Sequence, residues 1–201
     1  MTQSKNLELT QKRKSQILRS AYAIIAERGY ENITVQDIAN HAGFSKGIIY
    51  YYFSSKEDVM VSLFDSILRV IDRNFASTIQ NHPEPRDQME RVLRMSFDLV
   101  HKHKEFYHVI MVFWSQITQK TLMSDLNATL FQRYRRELAK ILERGVDRGV
   151  FQVKTDVNLM ASQIIAVVGG ASLQYIFDPK AFDFKTMVDT SVAFIMRVLS
   201  L

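Results

Sequence analysis

The chain has 201 residues, of which 47% are hydrophobic, and it carries a net charge of +5 and no cysteine. The apolar content argues against wholesale disorder, and the lack of cysteine excludes disulfides, cysteine nucleophiles and thiolate metal sites. Residues 1–56 hold eight lysines and arginines against four acidic residues. A basic end on a nearly neutral body predicts a polyanion-binding module; an unevenly solvated surface is the alternative.

The first predicted helix follows a polar segment that lacks the apolar region of a secretory signal. This helix has one apolar stripe from Ile17 to Ile25, and Gly29 is expected to end it. The basic residues Lys12–Lys14 precede the stripe. They form either an extended arm toward nucleic acid or a solvated cluster of charges.

Residues 34–53 predict two short helices joined by a tight turn. Thr34 is expected to cap the first helix, with Asp37 as the return half of a capping box. Gly43 is expected to take the positive φ that ends this helix, and Ser45 is expected to cap the second. This pattern is typical of a helix-turn-helix, whose second helix lies in the major groove of DNA.

The second of these helices has one predicted buried pair, Ile49 and Phe53. The three consecutive tyrosines at positions 50–52 span about 200° of helix, so they cannot all face the core. The lysine, the glycine and the tyrosines of this helix are therefore available for outside contacts, and they are suited to a phosphate backbone.

The remaining sequence is also predicted to be helical, because no run alternates as a strand would. Residues 55–58 predict a second capping box at the start of a long helix that runs past residue 71. Further helices are predicted at about 86–101, 106–114, 125–145, 156–177 and 183–200. Four polar residues interrupt the apolar stretch 161–177, whereas a bilayer span needs about 18 nearly continuous apolar residues. We expect an all-α, soluble, cytoplasmic protein.

Several short motifs together carry a family resemblance: Thr34-Val35, Asp37-Ile38-Ala39, Ala42-Gly43, Ser45-Lys46-Gly47, Tyr50-Tyr51-Tyr52-Phe53 and Ser55-Lys56-Glu57. Over about residues 11–71 they resemble the signature of TetR-type bacterial transcriptional regulators. The resemblance implies nine helices and a homodimer. It places a helix-turn-helix DNA-binding domain with the start of the connecting fourth helix at 11–71, and an effector-binding and dimerisation domain at 72–201. The last two helices would pair with their copies in the partner.

The expected DNA contacts come from the helix-turn-helix and the start of the next helix. Lys46 is suited to guanine or phosphate oxygens, and Gly47 to close approach of the DNA. Ile48 stands where the family often has a small polar residue; it would contact a thymine methyl group or pack into the core. Lys56 resembles the family's phosphate-binding lysine. The full set is Thr34, Ser45, Lys46, Gly47, Ile48, Tyr50, Tyr51, Tyr52 and Lys56.

A second candidate site is an effector pocket, which the resemblance implies among the helices after the first three. Such pockets are mostly apolar with a few polar anchors. The candidates are Phe64, Leu68, Met95, Phe106, Tyr107, Ile110, Met111, Trp114, Phe131, Tyr134 and Gln163. The alternative is a filled core, because aromatic side chains at helical spacing usually pack against one another.

The last two predicted helices are apolar on too many sides for isolated surface helices. Gly169 and Gly170 lie inside the first of them, where each glycine costs about 1 kcal/mol relative to alanine, and close approach of another helix would explain them. The expected dimer interface is Met160, Ile164, Val168, Ala171, Val188, Val192, Ile195 and Leu199. The alternative is burial within one subunit.

We expect no catalytic residues, no cofactor and no metal site. Glu105 and His108 have the Glu-x-x-His spacing of di-iron bundles, but the sequence has no second such motif, which those sites require. It also has no phosphate-cradling loop, nucleophile elbow or zinc pattern.

These features predict a ligand-responsive repressor that binds a palindromic double-stranded DNA operator as a homodimer. A small, lipophilic or aromatic effector would release it from the DNA. One alternative is an all-α small-molecule carrier or enzyme without DNA binding. Another is a regulator that acts through protein contacts without a small effector.

Overall fold

The computed structural model describes residues 2–102 and 122–200, together with Val109 and Met111. Within this part every regular element is an α-helix, which confirms the all-α prediction. The helices are α1 (Thr2–Arg28), α2 (Val35–Ala42), α3 (Lys46–Tyr52), α4 (Lys56–Asn81), α5 (Pro85–Lys102), α6 (Leu122–Asp147), α7 (Val157–Phe177) and α8 (Phe184–Val198). Most of the helix predicted at 106–114, including Phe106, Tyr107, Ile110 and Trp114, lies outside the described residues.

Helix α1 begins much earlier than its apolar stripe. It starts at Thr2, so Lys12–Lys14 lie inside a continuous helix, and the interpretation of an extended basic arm is wrong. No glycine or proline interrupts residues 2–28, and lysine, glutamine, leucine and glutamate there favour helix. Gly29 ends the helix at a φ of 75°, as predicted.

The chain forms two compact units. The first consists of residues 1–70 and 105–126, and the second of residues 71–104 and 127–201. Helix α4 supplies residues to both, because the division falls between Val70 and Ile71.

The first unit contains the helix-turn-helix, in which α1 packs against α2. Its core includes the fully buried side chains of Ile17, Ile38 and Ile49, one from each of the first three helices. Gln16 on α1 donates from Nε2 to the carbonyl oxygen of Ala42 at 2.9 Å. Because the last carbonyls of a helix lack partners within it, this bond stabilises the end of α2.

The start of α4 differs in detail from the predicted capping box. The hydroxyl of Ser55 accepts from the backbone N–H of Asp58 at 3.1 Å, as expected. The carboxylate of Asp58, however, accepts from the backbone N–H of Ser54 at 2.8 Å and not from that of Ser55. The return bond has therefore moved one residue outward, which ties the α3–α4 connection to the first turn of α4.

In the second unit, α5 packs against both α7 and α8. Phe75, Met89 and Phe97 belong to its buried core. At the edge of this core, Arg94 on α5 donates to Asp189 on α8 at 2.6 Å, and this bond raises the pKa of Arg94. Arg133 on α6 likewise donates to Asp72 on α4 at 2.8 Å.

Helix α7 is the most apolar element that the structure describes. By length and composition alone it is suited to crossing a membrane, and 28% of its apolar stretch is buried within the chain. The four polar residues within 161–177 were expected to exclude a membrane span, but α7 still meets the criteria of length and composition. The helix starts at a capping residue, Asp156, whose carboxylate accepts from the backbone N–H groups of Asn158 and Leu159 at 3.0 Å. Much of the apolar surface of α7 is therefore not buried within the described chain.

Candidate nucleic-acid interface

The start of α2 and the turn between α2 and α3 have the predicted geometry. The hydroxyl of Thr34 accepts from the backbone N–H of Asp37 at 3.2 Å, and the Asp37 carboxylate accepts from the backbone N–H of Thr34 at 2.7 Å. The hydrogen bonds that the Asp37 carboxylate accepts from the Thr34 hydroxyl and from the Thr34 backbone N–H hold the pKa of Asp37 below its ordinary value. Gly43 adopts a φ of 69° and directs the chain into α3. A closed capping box therefore starts α2, and a left-handed glycine joins α2 to α3.

Ser45 occupies the N-cap position of α3 but does not cap it with its side chain. Its backbone carbonyl accepts from the N–H of Ile48 at 3.0 Å, whereas its hydroxyl makes no capping bond. Ser45 is therefore the N-cap residue of α3, as predicted, but its side chain makes no capping bond. The hydroxyl of Ser45 is exposed at the start of the helix.

Helix α3 divides into a buried edge and an exposed surface. Ile49 and Phe53 are 1% and 3% exposed, as predicted for the buried pair. On the outside, Tyr51 is 80% exposed and Tyr50 is 48% exposed. This exposure leaves phenol groups of α3 accessible to a partner.

The remaining side chains of α3 surround these phenols. Lys46 is exposed, and its ammonium lies 5.8 Å from the ring centre of Tyr50. Tyr52 is half-buried and meets Tyr51 edge-to-face, with ring centres 4.9 Å apart. Ile48 is also half-buried. Its exposure is intermediate between that expected for a contact in the groove and that expected for a core residue. Hydroxyl and ammonium donors thus share one surface with an apolar side chain, a combination that suits phosphates and base edges.

Gly47 is not required by the fold. A Cβ atom at this position would have the Ser45 hydroxyl oxygen, 3.9 Å away, as its nearest described neighbour, and the backbone is not left-handed. Glycine inside a helix costs about 1 kcal/mol relative to alanine. Close approach of an outside partner therefore accounts for Gly47 better than internal packing does.

Lys56 has a different environment from Lys46. Its ammonium donates to the backbone carbonyl of Tyr30 at 2.7 Å and lies 4.0 Å from the centre of the Tyr30 ring. The Tyr30 hydroxyl lies 3.4 Å from the carboxylate of Glu57. Burial, reinforced by the nearby carboxylates of Glu57 and Glu31, raises the pKa of Tyr30 to about 12. Lys56 is therefore engaged within the first unit.

The predicted pocket residues are distributed over both units. Phe64 and Leu68 on α4 are buried in the first unit. Met95, Phe131 and Tyr134 are half-buried in the second, and Met111 is half-buried. Gln163 is exposed on α7, so the structure does not place it among these apolar side chains.

Two partners of Tyr134 were missed by the sequence prediction. Its ring meets that of Phe75 edge-to-face with centres 5.1 Å apart, and its hydroxyl is hydrogen-bonded to Ser96. Ser96 also donates to the carbonyl of Val92 at 2.7 Å. Phe75 continues the apolar stripe of α4, so helical spacing was the available signal. No sequence pattern indicated Ser96, because a single serine in a helix has no periodicity that would predict its partner.

Histidine and carboxylate side chains form no cluster of metal-binding type within the described ranges 2–102 and 122–200. His101 instead stacks on Phe184, with ring centres 4.6 Å apart, and its Nδ1 atom lies 3.3 Å from the hydroxyl of Tyr175. This histidine belongs to an aromatic cluster where α5 meets the start of α8. His108 and Glu105 lie outside the described residues.

The predicted dimer residues are mostly not at the surface. Seven of them are buried within the chain: Met160, Ile164, Val168, Val188, Val192, Ile195 and Leu199. Only Ala171 is half-buried. α5 packs against both α7 and α8, and α7 and α8 pack against each other. Burial within one subunit, the alternative considered above, therefore describes these seven side chains.

A different set of side chains forms the exposed apolar surface of α7 and α8. Leu159 is 51% exposed and Phe194 is 57% exposed. A groove of about 300 Å³ runs between the two helices and is lined by Met160, Gln163, Ile164, Val167, Phe194, Ile195 and Val198. Within the described residues, no atom comes within 4 Å of a Cβ atom built on Gly169 or Gly170. We call this surface the α7–α8 face.

Comparison with protein-family models matches both parts of the chain. Residues 17–63 match the model described as bacterial regulatory proteins, tetR family. Residues 85–200 match the model described as BetI-type transcriptional repressor, C-terminal. The first range contains the helix-turn-helix, and the second contains α5 to α8.

Individual proteins and structures agree with these matches. The HTH-type transcriptional repressor KstR2 of Mycobacterium tuberculosis is 26% identical over 151 residues, which cover 74% of each chain. The fatty acid metabolism regulator protein of Bacillus subtilis is 25% identical over 174 residues, 86% of this chain and 88% of that protein. The crystal structure of FadR from Bacillus subtilis with stearoyl-CoA has a TM-score of 0.80 at 23% identity, and the match covers 92% of this chain and 98% of that one.

Proposed function

We infer the function from one premise: the chain belongs to the TetR family of bacterial transcriptional regulators, and it is a ligand-responsive regulator. We propose that it is a repressor that binds a palindromic operator as a homodimer. In this proposal residues 11–71 bind DNA, while residues 72–201 bind the effector and the second copy. The observation that carries the DNA-binding part is the exposed phenol surface of α3, where Tyr51 is 80% exposed.

The DNA contacts in this proposal come from α3 and the capped end of α2. Lys46, Tyr50 and Tyr51 present donors to phosphates, and their exposure supports that role. Ile48 offers an apolar contact to a thymine methyl group. Gly47 lets the DNA approach the helix, because its space is not filled from within the fold. Thr34, Ser45 and Tyr52 lie at the edges of this surface, and their contacts with phosphates would fix the position of α3 along the DNA.

The second copy would bind the α7–α8 face, whose groove includes Met160, Ile164 and Ile195 of the interface predicted from the sequence. Apolar side chains such as Leu159 and Phe194 are exposed there, and the open space above Gly169 and Gly170 allows a second helix to approach closely. A two-fold dimer presents the same surface twice, and it matches the two half-sites of a palindromic operator.

The effector in this proposal is a molecule with a long apolar part, of the acyl-CoA class. Support comes from the fatty acid metabolism regulator protein of Bacillus subtilis and from the stearoyl-CoA in the structure of FadR. In this chain, Met95, Phe131 and Tyr134 are half-buried, and the bonded hydroxyls of Ser96 and Tyr134 are the polar groups beside them. Effector binding would release DNA only if it favours one state of the dimer over the other.

Fluorescence anisotropy with a duplex from the protein's own upstream region tests DNA binding. Wild type is expected to bind, with an affinity that falls as salt rises. Lys46→Met should weaken binding and reduce the slope of log K against log salt by about one unit per protomer, because one phosphate contact is lost. The matched control is Lys180→Met, an exposed lysine outside the first unit. Equal slopes for wild type and Lys46→Met would contradict the assignment of Lys46.

The same assay tests the effector. Addition of stearoyl-CoA to the preformed complex should lower the anisotropy, whereas free coenzyme A should not. Release by neither compound would reject the acyl-CoA class while leaving the operator binding intact.

A further inference from the structure

The second unit contains two buried serines whose hydroxyls have different environments. Ser96 on α5 is 4% exposed and Ser172 on α7 is 0% exposed. The hydroxyl of Ser96 donates to the Val92 carbonyl at 2.7 Å and is also hydrogen-bonded to Tyr134. The hydroxyl of Ser172 has no hydrogen-bond partner among the described residues. Two buried side chains of the same type thus differ in whether their hydroxyls are paired.

The hydroxyl of Ser172 does not use the partner that a helix normally offers. A serine inside a helix commonly donates to the backbone carbonyl one turn earlier. Ser162 does so on the same helix, where its hydroxyl donates to the Asn158 carbonyl at 2.9 Å. The carbonyl of Val168 has the same spacing from Ser172, but no bond joins them. Leaving a buried hydroxyl unpaired costs stability, and a bound molecule that pairs with it would remove this cost.

The surroundings of Ser172 restrict the chemistry of such a molecule. Ala161 and Val168 lie on the same side of α7 at helical spacing, and both are buried and apolar. Helix α7 contains no charged residue. Within the described ranges, the buried core contains no lysine, arginine, aspartate or glutamate side chain. A carboxylate or phosphate buried there would lack a countercharge, which is costly. The surroundings therefore favour an uncharged oxygen on an apolar molecule.

Ser172 belongs to the part of the second unit where α7 packs against α5. One turn further along α7, the hydroxyl of Tyr175 lies 3.3 Å from the Nδ1 atom of His101 on α5. Helix α5 also carries Ser96, whose bond to Tyr134 belongs to the proposed effector site. Ser172 thus lies on a helix that packs directly against one wall of that site.

From these observations we propose that Ser172 is a specificity-determining residue for the effector. Its hydroxyl donates to an uncharged oxygen of the bound molecule, which in the acyl-CoA class is the thioester carbonyl. The apolar side chains beside it contact the adjoining part of the acyl chain. The inference rests on the proposed effector class and deepens it, since it names the atom that the buried hydroxyl binds.

Isothermal titration calorimetry without DNA tests this contact. It compares stearoyl-CoA with octadecyl-CoA, the thioether in which a methylene group replaces the thioester carbonyl. Wild type should bind stearoyl-CoA about three- to tenfold more tightly, because the thioether cannot accept the hydrogen bond. Ser172→Ala should bind both compounds equally. Ser162→Ala is the matched control, since its hydroxyl is already paired on the same helix, and it should keep the preference of wild type.

Thermal unfolding of the ligand-free protein tests the unpaired hydroxyl itself. Ser172→Ala should raise the melting temperature by about 2–4 °C, because it removes a buried polar group that has no partner. Ser96→Ala should lower the melting temperature, because its hydroxyl is bonded. A lower melting temperature for Ser172→Ala would show that this hydroxyl is already satisfied in the free protein, and it would overturn the inference.

The two proposals fail in different ways. If wild type binds neither compound, the acyl-CoA class of the proposed function fails, and the thioester contact fails with it. If wild type and Ser172→Ala bind the two compounds with the same ratio of affinities, the effector class stands and only the role of Ser172 fails.

Discussion

At the scale of single residues, the surroundings of a side chain decide its role more than its identity does. Lys46 and Lys56 are ten positions apart in the sequence. Lys46 is exposed, whereas Lys56 donates a hydrogen bond to the Tyr30 carbonyl. Gly47 and Gly145 differ in the same way. A Cβ atom has space at Gly47, but at Gly145 it would lie 2.0 Å from the ring of Phe151. The same residue type therefore leaves open space in one place and makes room for a packed ring in the other.

One prediction at this scale concerns the capping box of α2. Hydrogen bonds from Thr34 lower the folded-state pKa of Asp37 below its ordinary value of 3.8. The carboxylate therefore stabilises the fold above that pH, and this contribution is lost as the pH falls through the folded-state pKa. We expect Asp37→Asn to melt below wild type at pH 7, with a difference that disappears at strongly acidic pH. A difference that is constant with pH would show that the charge of Asp37 is not involved; thermal unfolding monitored by circular dichroism provides the measurement.

At the scale of helices, the residues at helix ends and on packed faces explain most of the observed structure. The end of α6 is held by backbone bonds from Val150 and Phe151 to the Gly145 carbonyl, at 2.8 and 3.0 Å. Phe151, 2% exposed, lies directly over Gly145. The repeated glycines of residues 144–151 thus have separate tasks: Gly145 makes room for a ring, and Gly149 takes a φ of 68°.

The packing of Gly145 predicts a large effect of a small change. Gly145→Ala should destabilise the protein by about 1–3 kcal/mol, because the added methyl group overlaps the buried ring of Phe151 and the backbone must move. Gly47→Ala is the matched control, since its Cβ has space and alanine is the better helix former. We expect urea unfolding to place Gly145→Ala below wild type and Gly47→Ala at or above it. Equal stabilities for the two variants would contradict the role of Phe151.

At the scale of the whole molecule, the amino-acid pattern of α7 and α8 does not say which face meets a second copy. Both helices are apolar around much of their circumference. Val188 and Val192 are buried within the chain, whereas Leu159 and Phe194 are exposed. The α7–α8 face therefore combines apolar exposure, a groove and two uncovered glycines, which are the features of a helix-packing surface.

The expected dimer can be tested with residues from the two faces. Phe194→Glu should shift the protein toward monomer and raise the dimer dissociation constant at least about tenfold, because a charge would be buried at the interface. Val192→Ala should instead lower the stability of each subunit by about 1.5–3 kcal/mol, because two buried carbons are lost and a cavity remains. Sedimentation velocity separates these outcomes, with Leu7→Glu on the exposed start of α1 as control. A Phe194→Glu variant that remains fully dimeric would remove the α7–α8 face from the interface.

The sequence by itself determined the local features whose causes lie within a few residues. The capping box at Thr34, the left-handed turns at Gly29 and Gly43, and the buried pair Ile49 and Phe53 all follow from local geometry and helical spacing. Only the tertiary structure decided which partner each exposed or apolar group meets. Lys56 binds a carbonyl 26 residues away, and seven of the eight side chains expected to form the dimer interface are buried within the chain. The physical reason is that a helix pattern fixes which side chains share a face, whereas packing between distant segments decides which faces are covered.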